Sequence, residues 1–189
     1  MSQPQAGRLA SLVDEHPSKV VLVPMNSAKA VSFHQAVAIG TAGLGGCSAI
    51  VIASTRGAIL AHIPPRPPSA PLWDLNAGDR RATELVTEVI HLYRTHYNEY
   101  FSRPTETVIL CALFNGSVGL PDQLHIMRRA LGPLAPAVLT YDVPGDQNIP
   151  GKGTMFAMGS LGFTALGLRN EGRARIFVED KEYRSLPPA

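Results

Sequence analysis

Gly40-Thr41-Ala42-Gly43-Leu44-Gly45-Gly46-Cys47-Ser48-Ala49-Ile50-Val51-Ile52 and, behind it, Ala58-Ile59-Leu60-Ala61-His62-Ile63 decide how this chain is read. The first stretch is apolar and rich in β-branched residues, with four glycines between positions 40 and 46. Each glycine costs a helix roughly 1 kcal/mol relative to alanine. Val31–Thr55 is long enough for a membrane span, its only ionisable side chains being His34 and Cys47. The glycines and β-branched residues instead predict buried strands joined by a glycine loop. Ser54-Thr55-Arg56-Gly57 is a polar turn, with Gly57 placed where a positive φ is expected, so 48–53 and 58–63 pair as a hairpin.

The totals fit one globular domain. The chain has 189 residues, 45% hydrophobic and 17% charged, enough to bury its own core. A net charge of +2 without any Lys/Arg cluster argues against nucleic acid or an anionic membrane as the main partner. Two cysteines, Cys47 and Cys111, are too few for a disulfide framework and read as free thiols, a bridge between them being the alternative. The first residues carry no basic-then-apolar signal pattern, which points to the cytoplasm.

Working outward, residues 1–8 read as a flexible terminus, 9–178 as one domain and 179–189 as a polar tail. Apolar runs predict strands at Lys19–Pro24, Ala30–Ile39, Thr107–Phe114 and Ala137–Val143, with closing strands at Met155–Leu168 and Arg173–Val178. Pro64-Pro65-Arg66-Pro67-Pro68-Ser69-Ala70-Pro71 reads as a stiff extended crossing rather than a ligand for a proline-binding module. A helix runs from a cap at Asp79 to about Tyr100, with Leu85, Val89, Leu92 and Tyr93 on one face; His91 and His96 beside it lack metal-ligand spacing. Pro121 opens a second helix, with Leu124, Met127 and Leu131 on one face and Gly132 as its stop. Gly151-Lys152-Gly153-Thr154 departs from the phosphate-loop template because Gly153 follows the lysine. The order implies an α+β fold: a largely antiparallel or mixed, sandwich-like β core flanked by two or three helices.

The hairpin carries the chemistry. Reflection about its turn places residues 62–64 opposite Cys47, so His62 lies opposite or diagonal to the thiol. A one-residue slip would send it to the other face. A cysteine beside a histidine is the minimum for a thiol nucleophile. Gly45 and Gly46 leave the neighbouring backbone free to aim N–H groups at an oxyanion, and a hydroxyl at Thr41 or Ser48 is placed to orient the imidazole. Catalysis in this form predicts a Cys47 thiolate at neutral pH that alkylates faster than Cys111, which sits mid-strand as a structural thiol.

The run Thr41-Ala42-Gly43-Leu44-Gly45-Gly46-Cys47, with Ala61-His62-Ile63-Pro64-Pro65, resembles the active-site segment of the CheD-type chemoreceptor glutamine deamidases. That family has a threonine six residues before the cysteine in a T-x-G-L-G-S-C-like run and an A-H-I segment before proline. Deamidase toxins of the cytotoxic necrotizing factor type share the Cys–His dyad at a spacing closer to the fifteen residues seen here. The resemblance implies a CheD-like fold and hydrolysis of a protein glutamine side chain to glutamate with release of ammonia, without metal or cofactor. It assigns Cys47 as nucleophile, His62 as general base and acid, and Thr41 as the residue orienting His62. Gly46 stands where the family has serine, the hairpin is shorter, and Asn115-Gly116-Ser117 is not the family's GGA-like loop. The partner implied is a protein with an exposed glutamine. The competing expectations are another amidase or thiol hydrolase on the same dyad, and an inactive deamidase-fold protein that binds a partner.

Overall fold

The protein is described by a computed structural model covering residues 7–102, 104–146, 148–160, 162, 166 and 174–183. Chain order runs α1 (Arg8–Glu15), β1 (Val20–Leu22), β2 (Ser27–Ser32), β3 (Ala38–Thr41), β4 (Ser48–Ala53), β5 (Gly57–Ile63) and α2 (Ala77–Thr95). It continues with β6 (Glu106–Phe114), β7 (Ser117–Val118), α3 (Pro121–Ala130), β8 (Ala137–Asp142), β9 (Met155–Met158), β10 (Arg175–Val178) and β11 (Lys181–Tyr183). A π-helical turn at Tyr97–Phe101 extends α2, and a 3-10 turn at Gly132–Leu134 follows α3.

The strands form two sheets. One has the order β1-β3-β9-β10-β11; the other has β2-β5-β4-β6, with β7 and β8 both pairing with β6. Pairing is antiparallel except at β1–β3 and β6–β8. The fold is therefore α+β with two mixed, largely antiparallel sheets. Alternate residues of β4 and β5 serve two different cores: Ala49, Val51 and Leu60 face the other sheet, while Ile50, Ile52, Ile59 and Ile63 pack with Leu85, Val89 and Met127 of α2 and α3. Burial on both faces is why these strands read as unbroken apolar runs. On the outer face of the first sheet, Leu9 and Leu12 of α1 pack on Val37, Phe156 and Phe177.

Several expectations change. The expected strand at Ala30–Ile39 is split between β2 and β3, which belong to different sheets. A turn at 33–37 separates them, with Ala36 N–H bonded to Ser32 O and Phe33 turned into the core. Gly57 opens β5 without a positive φ; it is needed because a Cβ there would meet Val31 O at 2.5 Å and the Tyr100 ring at 2.8 Å. The segment read as a polar tail supplies β11, and Arg8, placed in the flexible terminus, starts α1. Among the described residues of the expected strand at 155–168, only Met155–Met158 forms one; most of the remainder, and residues 184–189, lie outside the described residues. The segment considered as a membrane span is β2 to β4, and no helix among the described residues is long and apolar enough to cross a membrane.

Candidate functional site

The register of the β4–β5 hairpin locates the site. Ser48 pairs with Ile63 and Ala49 with His62. Continued by one residue, the ladder sets Cys47 opposite Pro64, so His62 is its diagonal neighbour on the same face. That face looks toward the other sheet, where Cys47 packs with Ala49, Leu60 and Tyr141. Cys111 belongs to the helix-facing core with Ile50 and Ile109, so the two free thiols lie on opposite faces of one sheet.

Thr41, the last residue of β3, crosses from the other sheet to meet His62. Its Oγ1 lies 2.7 Å from His62 Nδ1 and 2.8 Å from the carbonyl of Val23, in a site where Thr41 and His62 are both buried. A hydroxyl has one proton to give. Donated to Val23 O, that proton leaves Oγ1 as an acceptor, so Nδ1 carries the imidazole proton and Nε2 presents its lone pair. Nε2 is buried without a hydrogen-bond partner among the described residues, so Cys47 Sγ does not close a bond to it at rest. The opposite tautomer would leave Val23 O without this hydroxyl and bury an unpartnered N–H at Nε2. Ser48 plays no part here: its hydroxyl points to Cys111 Sγ at 4.0 Å, on the other face.

Position and protonation follow from burial. Cys47 is 6% exposed, and desolvation pushes its thiol up to about 11; it also lowers the pKa of His62. Cys111 is raised by burial too. The resting pair is thus neutral thiol and neutral imidazole. This departs from the expectation of a resting thiolate, because among the described residues burial alone acts on the sulfur and raises its pKa.

The glycine loop is tied shut by a residue that sequence reasoning did not single out. Tyr141 Oη accepts the Gly46 N–H at 3.0 Å and lies 2.7 Å from the carbonyls of both Leu44 and Cys47, which share its single proton. The ladder explains its arrival: Tyr141 pairs with Ala112, and the β4–β6 register, continued, sets Ala112 opposite Cys47. Cys47 N–H bonds the Leu44 carbonyl. Of the two glycines offered to an oxyanion, Gly46 has its donor engaged, whereas the Gly45 N–H has no partner among the described residues. Gly45 borders a cavity of about 340 Å³ between the loop, Tyr141–Pro144 and Lys152–Gly153. Gly46 and Gly43 hold positive φ of 120° and 71°, conformations that other side chains strain to adopt.

Three further neighbours support the site. The Phe114 ring lies over the loop, 3.4 Å from where a Cβ on Gly46 would sit. Buried Gln123 of α3 donates to Pro64 O at 3.3 Å and Pro65 O at 3.1 Å, pinning the chain just past His62. The run once compared with a phosphate loop braces the site: Gly153 O accepts Leu44 N–H, and Lys152 pairs with Glu179 at 2.8 Å. Of the helix histidines, His96 stacks on Tyr100 near Glu99. Among the described residues, no three His, Cys, Asp or Glu side chains gather as a metal set requires. Compared with known proteins, the chain matches no family model and no curated protein.

Proposed function

We propose that the chain is a thiol amidohydrolase with Cys47 as nucleophile, His62 as general base and acid, and Thr41 as the residue that fixes the imidazole. The observation that carries this reading is the Thr41–His62 contact, which leaves a buried, unpartnered Nε2 lone pair on the face that Cys47 shares. A buried acceptor without a partner costs about 1–3 kcal/mol, and a catalytic role is one reason a protein retains such an atom.

Cys47 Sγ attacks the carboxamide carbon as its proton passes to Nε2, forming the C–S bond and an oxyanion. Gly45 N–H is the available donor, joined by Gly46 N–H once Tyr141 releases it. Collapse of the adduct breaks the C–N bond, His62 hands the proton to the departing nitrogen, and ammonia leaves a thioester. Water, deprotonated by His62, then attacks the thioester and restores the thiol with a free carboxylate. The similarity of the Thr41–Cys47 and Ala61–Pro65 segments to the chemoreceptor deamidases makes a protein glutamine the substrate we propose, on a CheD-like fold. The test is ammonia release and the Gln-to-Glu mass increase across a panel of proteins, with wild type and Cys47→Ser. Release undiminished in Cys47→Ser refutes the mechanism.

A second reading has an observation of its own. The closed loop, with the Gly46 and Cys47 donors engaged and the thiol protonated, also suits a deamidase-like protein that binds a partner without turnover. The two part on trapping: an amidohydrolase accumulates a Cys47 thioester with an activated amide or ester, and a binding protein does not.

A further inference from the structure

His62 stands where its ladders stop. It forms the final rung of β2–β5, opposite Ser27, and the last but one of β4–β5, opposite Ala49. Beyond it the chain runs Ile63-Pro64-Pro65-Arg66-Pro67-Pro68. Proline has no N–H, so this stretch is fastened to the fold through its carbonyls. Element ends open more readily than their middles, yet the ring has to present Nε2 to Cys47 across a diagonal. Thr41 fixes the ring at Nδ1, and its hydroxyl makes no bond to the main chain that carries the ring.

The starts of two helices supply what the ladders lack. Past His62, the buried carboxamide of Gln123, in the first turn of α3, donates from Nε2 to Pro64 O at 3.3 Å and to Pro65 O at 3.1 Å. That nitrogen has two protons, one for each carbonyl, which fixes the way the carboxamide faces. Oε1 is left buried without a partner among the described residues. An apolar side chain of the same length would avoid the orphan but lack both donors, and a glutamate would turn acceptors toward the carbonyls. Gly78 of α2 closes the same spot, since a Cβ there would lie 2.0 Å from Pro65 O. On the other side of His62, its carbonyl accepts the Asn26 N–H at 2.9 Å. Asn26 holds a positive φ of 69°, and Arg81 of α2 grips it twice: Nε donates to Asn26 Oδ1 at 2.6 Å and Nη2 to Asn26 O at 3.1 Å. A planar fork of this kind sets orientation as well as distance. Gly78 and Arg81, three residues apart, lie on neighbouring turns of one helix face.

We propose that Gln123 and Arg81 are positioning residues for His62: the starts of α3 and α2 clamp the end of β5 on both sides of the histidine and so set where Nε2 stands. The clamp acts on the ring whether or not the site turns over; what it does for rate rests on the amidohydrolase reading. A misplacement of about 1 Å at a reacting group costs about 10²-fold in rate, so a histidine at a strand end needs its main chain held as firmly as its ring. The helices thereby have a task beyond covering the sheet. Leu85, Val89 and Met127 pack on its outer face, and the residues ahead of them in each helix reach around its end to the chain on either side of His62.

The experiment uses the full chain with Arg81→Met and with Gln123→Met, which remove the donors and keep an unbranched side chain in each place. Ring-nitrogen NMR reads the tautomer of His62 in both. The expected result is a rise of about tenfold in the share of rings protonated at Nε2, the size of one hydrogen bond loosened between Thr41 and the ring. The Arg81 side chain is 26% exposed, so Arg81→Met stays folded and carries the test even if Gln123→Met, which strips two carbonyls, does not. Val89→Ala, further along α2 in the same buried core, is the control for stability alone: it should lower Tm and leave the ring signals of wild type. Unchanged ring signals in Arg81→Met overturn the proposal, and so does an equal change in Val89→Ala. For a panel protein that wild type deamidates, the clamp variants should lower kcat by about 10²-fold with KM unchanged. A loss confined to KM overturns the positioning role. An altered ring in the clamp variants, with no Cys47-dependent ammonia from any panel protein in wild type, would sink the catalytic reading and leave the clamp standing.

Discussion

Thr41→Val keeps the shape of the side chain and removes one hydroxyl, the atom that links the Val23 carbonyl, the His62 ring and the end of β3. Thr41 and His62 are buried, so water does not reach the groups left behind. Two polar groups lose their partner, Val23 O and the Nδ1 proton. Each orphan costs about 1–3 kcal/mol, and partial relaxation puts the sum at about 2–4 kcal/mol. For a chain of this size that lowers Tm by about 5–15 °C. Catalysis loses more. Without an acceptor at Nδ1 the ring is free to place its proton on Nε2, where it no longer serves as a base, and general-base catalysis is worth about 10²–10⁴-fold.

The assay has two arms. Urea unfolding of wild type, Thr41→Val and Thr41→Ser reads stability, and ring-nitrogen NMR of His62 reads the tautomer directly. Thr41→Ser should restore both, because it restores the hydroxyl. The reasoning is refuted if Thr41→Val unfolds within about 0.5 kcal/mol of wild type, the scatter of substitutions that touch nothing, while His62 keeps its proton on Nδ1.

Other perturbations probe the loop and the thiol. Alkylation of Cys47 should climb about tenfold per pH unit from neutrality toward pH 11 with no earlier plateau; a plateau below pH 9 would mean that the sulfur is not desolvated as its burial implies. The same raised pKa makes a stability contribution that is complete below the unfolded thiol's pKa near 9 and is lost as pH rises through about 11, which alkaline urea titrations of Cys47→Ala against wild type would detect. Tyr141→Phe strips the loop of a hydroxyl that serves Gly46 N–H and two carbonyls, and should destabilise the fold by about 2–3 kcal/mol while freeing the Gly46 donor; unchanged stability speaks against the latch. Phe114→Ala uncovers the loop and should speed Cys47 alkylation relative to Cys111, whose rate is the internal control.

The hairpin was legible because its logic is local. A polar turn at 54–57 between two apolar runs fixes a register, and the register alone delivers His62 to the face of Cys47. Phe33 illustrates the limit: a continuous apolar run at 30–39 carries no mark of a strand break, since a turn that buries its side chains in the core has the composition of a strand. Gly57 was legible as a special position and not for its reason, because a close approach by Tyr100 forty-three residues later leaves no local trace. Tyr141 lay further out of reach. Its role depends on β8 pairing in parallel with β6, a long-range choice, and one tyrosine in a strand with Leu139 and Val143 reads as core. The thiol's protonation escapes the sequence for a similar reason: residue types near Cys47 suggest activation, whereas burial between the two sheets raises its pKa.

A neutral dyad bears on whether such a site turns over. Burial raises the Cys47 thiol to about 11 and lowers the His62 imidazole, and both shifts oppose a resting ion pair. Resting ionisation is no requirement for turnover, because a general base can take the proton within the chemical step. Burial disfavours a separated thiolate and imidazolium, which favours a proton that moves while sulfur attacks, when the forming C–S bond offsets the charge. The consequence is a solvent deuterium isotope effect on acylation, with activity flat from neutrality upward and falling only at acid pH, where His62 protonates below its ordinary value. An ultraviolet thiolate band in the resting protein at neutral pH, absent in Cys47→Ala, would overturn this account, since burial of both groups opposes the charged pair.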